Sequence, residues 1–118
     1  MPATRGEAFH AEVSSTDASG GIAITLYKAG STTAYTLLST EYVDVTDIIF
    51  ISTAGGVYAL TMDVNSAGHW IAKGNAAALG GLAHHFETPV SCPIGITPKL
   101  FAAAGQVDLI VTGYITKT

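Results

Sequence analysis

Tyr42–Val64, YVDVTDIIFISTAGGVYALTMDV, is the longest apolar run in the chain and leaves it few choices of fold. Period-2 alternation on either side of Ala54-Gly55-Gly56 reads as two β-strands joined by a hairpin, because a tight hairpin turn needs φ > 0 and Gly-Gly supplies it. On the first strand Val43, Val45, Ile49 and Ile51 share one parity; on the second Tyr58, Leu60, Met62 and Val64 do. Ile48 and Phe50 fall on the parity of Tyr42, Asp44 and Thr46, so from residue 48 onward both faces of the strand are apolar. The second apolar face needs a cover.

No helix is available to supply it. Lys73–Gly81 holds the only helix-like triplet, and glycines bracket it too closely for a helix to stand unaided. The remaining segments read as strands. Gly21–Lys28 alternates with Ile22, Ile24 and Leu26 on one face, and shorter pieces follow at Ala34–Ser39, His69–Ala72, Leu82–Glu87 and Lys99–Ala103. Pro89, Pro93 and Pro98 restrict their stretch to an extended edge segment and a turn. The closing strand, Val107–Thr116, puts Val107, Leu109, Val111 and Ile115 on one face, and Gly113 within it marks a bulge or a close backbone approach. About eight short antiparallel strands at even spacing predict an all-β, single-domain β-sandwich of jelly-roll type over residues 21–118. Residues 1–20 are small and polar and read as an N-terminal arm, with one short strand at Ala8–Val13.

Composition narrows the function. Charged residues make up 12% of the chain, about half the share usual in a soluble domain. The apolar fraction is 48% and the mean hydropathy +0.41, yet no run approaches the ~18–20 residues that span a bilayer. A chain so poor in charge is expected to hide surface against copies of itself or another protein. The N-terminus shows no apolar stretch of signal-peptide kind. A net charge of −4 with five scattered basic residues offers no stripe to neutralise phosphates, which argues against nucleic acid. The lone Cys92, in PVSCPIGI, reads as a buried thiol, with a lean toward assembly in a reducing cytoplasm.

Catalytic constellations are missing from the pattern. His84 and His85 are adjacent, so on a strand they point to opposite faces and do not share an ion; a metal would need His10, His69 or a symmetry copy of His84. The nine carboxylates are dispersed, and no G-x-S-x-G elbow, P-loop or G-x-G-x-x-G occurs. Ser91 and Cys92 qualify as nucleophiles by residue type alone. The reading is a non-enzyme without metal or cofactor. Trp70, Tyr27, Tyr35 and Tyr58 are the residues a sugar-binding surface would draw on, although Trp70 within GHWIA reads first as core.

The second half of the chain resembles a known family. DIIFISTAGGVYALTMD, then Thr88-Pro89-Val90, Cys92-Pro93-Ile94-Gly95 and a last strand ending Gly113-Tyr114-Ile115, is similar to small jelly-roll capsid decoration (cement) proteins of tailed bacteriophages, over residues 42–116. That resemblance implies a structural virion protein, made in the host cytoplasm. It would bind the major capsid protein on the outside of the head as a homotrimer and stabilise the shell. Ile48, Phe50, Ile110, Tyr114 and His84 are then expected at the subunit interface, and Arg5, Phe9 and His10 on a capsid-contacting arm. The alternative is a carbohydrate- or receptor-binding module of a phage tail or fibre.

Overall fold

The computed structural model describes residues 4–15, 20–53, 56–76, 80–102 and 107–118, the side chains of 4, 5, 15, 75 and 76 excepted. Among the described residues nine strands carry the fold: β1 (Thr4–Ser15), β2 (Ile22–Ala23), β3 (Thr25–Lys28), β4 (Glu41–Ser52), β5 (Gly56–Thr61), β6 (Trp70–Ala76), β7 (Gly80–Ser91), β8 (Lys99–Ala102) and β9 (Val107–Lys117). They form two antiparallel sheets, one ordered β3-β1-β9-β4-β7 and the other β2-β8-β5-β6. The pairs β1·β9, β2·β8, β4·β7 and β5·β6 are nested, as in one long hairpin folded over on itself. That nesting is the jelly roll expected from the strand pattern. β3 is an addition outside β1, reached where the chain switches sheets at Ile24.

The expected hairpin is corrected. β4 and β5 lie in opposite sheets and do not pair. Both strands have an apolar face to bury, and facing each other buries both at once. Phe50 stacks on Tyr58 across the interior, ring centroids 3.8 Å apart. Leu60, Leu100, Leu109, Val111, Ile115 and Val43 belong to the same core.

Ile48 and Phe50 are corrected with it. Both lie inside the protein's own core, 1% exposed, and are not subunit contacts. The cause is a bulge. The register of β4 with β9 runs from Val45↔Gly113 straight to Asp47↔Thr112, so Thr46 is an extra residue there; opposite it the register with β7 also shifts, with residues 86–89 of β7 the longer side. The bulge reverses the alternation. Val43 and Val45 point inward before it and Ile48 and Phe50 after it, which turns Ile49 and Ile51 outward. The Thr46 hydroxyl stands 3.1 Å from the Thr112 carbonyl, within reach to donate to it. Gly113, opposite Val45, is where the backbones close in: a Cβ there would sit 1.9 Å from the Asp44 carbonyl oxygen, so no larger residue fits.

The N-terminal arm is corrected as well, for residues 4–15. β1 is an inner strand of the five-stranded sheet, bonded to both β3 and β9. Phe9, Ala11 and Val13 are buried in the core, so Phe9 is not available to a capsid. Arg5 lies in β1 with its side chain outside the described residues. One smaller expectation also changes: the 34–39 strand reduces to a single bridge between Leu26 and Tyr35. Of the stretch that held the helix-like triplet, residues 73–76 belong to β6 and 80–81 to β7, and 77–79 lie outside the described residues. Pro89 does lie on an edge strand, and Cys92 is buried.

Candidate functional site: the outer face of the five-stranded sheet

Strand register sorts the outer face of this sheet into transverse rows. Thr25, Glu12, Ile110, Ile49 and Ala83 form one row across all five strands. Beside it run Ser14, Asp108, Ile51 and Gly81. Ile49, Ile51 and Ile110 stand together in the middle, 46%, 50% and 44% exposed. A β-branched side chain in the centre of a sheet is normally covered, and three adjacent ones half in water make a patch of the kind that marks contact surfaces.

A polar row borders the patch: Tyr27, His10, Thr112, Asp47 and His85. Its centre is Asp47. His85 Nδ1 lies 2.7 Å from Oδ1, while the hydroxyls of Thr46 and Thr112 approach Oδ2 at 2.9 and 3.3 Å. The His85 hydrogen bond, helped by Thr46, holds the Asp47 carboxyl below its ordinary value. At the other end of the row the His10 ring stacks on Tyr27, centroids 5.0 Å apart.

Charge on this face has one sign. Its register positions carry Glu12, Asp47 and Asp108 but no Lys or Arg among the described side chains. Lys28 pairs with the buried Phe9 and Lys117 with Glu41, on the inner parity, and Lys73 and Lys99 belong to the other sheet. Beyond the bulge the same face is polar and closed. Asp44 there is buried, and it accepts from Thr116 Oγ1 at 2.7 Å and from the Ser91 hydroxyl.

The sequence-derived residues distribute unevenly over this geometry. Ile110 and His10 lie on the outer face, exposed, and Tyr114 lies on it half-buried opposite Asp44. His84 is exposed on the inward parity of the edge strand β7, its ring edge-on to Phe86 at 4.6 Å. Sequence reasoning missed Ile49 and Ile51. The signal was the polar pair Thr46-Asp47, which interrupts the apolar alternation where the bulge reverses it.

Elsewhere, Tyr35, Glu41 and Cys92 are bound up in the structure. The Tyr35 hydroxyl donates to Glu41 Oε1 at 2.5 Å, and that bond, with burial, pushes the phenol up to about 12. Burial pushes the Glu41 carboxyl upward, but the Tyr35 hydroxyl and the Leu38 amide outweigh it and leave the group below its usual range. Burial first, then the Asp44 and Asp63 charges, push the Cys92 thiol up to about 12, a value that suppresses thiolate chemistry. Among the described residues no three His, Cys, Asp or Glu side chains gather as metal ligands. Trp70 departs from its expected place: it is 38% exposed, and its Nε1 donates to Asn65 Oδ1 at 2.9 Å.

Comparison with family models, with curated proteins and with solved structures finds no match to this chain.

Proposed function

We propose that this chain is a non-catalytic structural protein that works by pressing a sheet face against other protein surfaces, and that its assembly is a homotrimeric decoration protein on the outside of a phage capsid. The observation that carries this reading is the Ile49–Ile51–Ile110 patch, half-exposed in the middle of the five-stranded sheet. The low charge content supports it, because a surface built to stay in water at every point would carry more. The contact set differs from that expected from sequence, with Ile49 and Ile51 in place of Ile48 and Phe50. Many copies on a shell act together, so each contact need only be weak.

Light scattering at micromolar concentration, followed by mixing with undecorated heads, tests both levels. A trimer that binds heads saturably is the expected result. The pair Ile49→Asp and Ile110→Asp, both at exposed positions, should stay folded and lose that binding. A wild-type monomer that ignores capsids sinks the proposal. The rival reading, a carbohydrate- or receptor-binding module of a tail or fibre, draws on a different surface: the half-exposed Trp70 of the opposite sheet.

A further inference from the structure

The outer face of the four-stranded sheet carries a depression of about 220 Å³. Val57, Ala59, Asn65, Lys73 and Phe101 line it, with the buried Tyr58 and Ala102 beneath. Ala59 is its floor: it pairs with Lys73 on β6 and with Phe101 on β8, so one methyl group stands between two long side chains. The Phe101 ring is laid down by Gly21, whose φ of 87° is left-handed and whose missing Cβ would sit 2.6 Å from the ring. Shape here follows from strand register and one glycine.

The exposed polar side chains at this depression, Lys73 and Asn65, both present donors to it. Lys73 Nζ rests 3.8 Å from the centroid of the Trp70 ring, and no carboxylate lies within ion-pair distance of it among the described residues. Asn65 is fixed in orientation, because an indole N–H only donates and must therefore meet Oδ1; the amide NH₂ is left to point elsewhere. An ammonium and a carboxamide N–H are both donors. The described lining offers no carboxylate, and its one hydroxyl belongs to Tyr58, 2% exposed and stacked on Phe50 in the core, so little there accepts from a neutral sugar. Asp63, on the loop after β5, is engaged by His69 Nδ1 at 2.6 Å. Apolar walls beside a pre-positioned cation suit a ligand with one apolar face and a carboxylate.

We infer that this depression binds an acidic saccharide unit, a pyranose carrying a carboxylate. The carboxylate meets Lys73 and Asn65, and the C–H face of the ring lies over Ala59 between Val57 and Phe101. Trp70 is a positioning residue: it holds the ammonium over its own ring. The inference deepens the saccharide reading of this sheet and is independent of the isoleucine patch, so decoration and saccharide binding stand or fall separately.

Trp70 is the only tryptophan in the chain, which makes its fluorescence a direct reporter of Lys73. Titration with a glucuronic-acid oligosaccharide should shift that emission saturably, and a neutral glucose oligosaccharide of equal length should bind at least about tenfold more weakly. Lys73→Gln should lose about tenfold in affinity while Lys73→Arg keeps most of it. The Ile49→Asp, Ile110→Asp protein should respond like wild type, which separates this site from the assembly face. Equal responses to acidic and neutral sugars overturn the inference, as does an unchanged Lys73→Gln. A glutamate-rich peptide that matches the glucuronic-acid oligosaccharide would show a general carboxylate site and overturn the saccharide assignment.

Discussion

The two ends of one sheet face behave in opposite ways. At the Asp44 end the outer side of the five-stranded sheet is polar but closed, with Thr116 and Ser91 donating to a buried carboxylate. At the Ile49 end it is apolar but open. Strand β4 runs through both, and Thr46 divides them. A sheet that can seal a carboxylate under hydroxyls at one end has the means to cover isoleucines at the other. Leaving three exposed at one place, with acids and no basic side chain around them among the described ones, is a property of the surface and not a shortage of material.

Substitutions along β4 test that contrast. Phe50→Ala, directly beneath the open end, should cost about 3–5 kcal/mol in denaturant unfolding, because it empties the stack on Tyr58. A cost below about 1 kcal/mol would mean that the bulge does not reverse the strand as described. Asp44→Ala strands two hydroxyls at the closed end and should cost about 1–3 kcal/mol by the same measurement. Ile51→Thr at the open end should change stability by no more than about 0.5 kcal/mol while weakening assembly. If it destabilises as much as Asp44→Ala, the open end is part of the fold and the contrast fails. The smallest effect is one of pH. Asp47 is held below its ordinary 3.8, first by His85, so its folded value lies under its unfolded one. Its contribution is therefore complete above the unfolded value and fades as pH falls through the folded one. His85→Ala should flatten the loss of stability below about pH 4, measured as midpoint against pH.

Much of the fold was legible because burial in a sheet leaves a period of two. The inward set of β9 and the tight approach at Gly113 read directly from the residues, as did the edge position of Pro89. The N-terminal strand was legible too, since Phe9-His10-Ala11-Glu12-Val13 alternates strictly; its small polar flanks made it look like an arm. The bulge was not legible by parity alone. One extra residue at Thr46 exchanges the roles of Ile48 and Ile49, and local sequence does not state which partner strands skip. Nor does Gly-Gly say whether a turn joins neighbours or carries the chain across the core, which here depended on Phe50 meeting Tyr58. Trp70 stayed at the surface because Lys73 and Asn65 satisfy its ring and its N–H there.

The nested pairing has a consequence for synthesis on the ribosome. β9 lies between β1 and β4, so the five-stranded sheet has no middle until Val107–Lys117 has left the exit tunnel. Until then β1 and β4 each wait with an unpaired edge, and nearly everything that joins them is long-range in sequence. Nascent chains arrested before residue 107 should be open to proteases along their whole length, and chains arrested after β9 has emerged should become resistant in a single step.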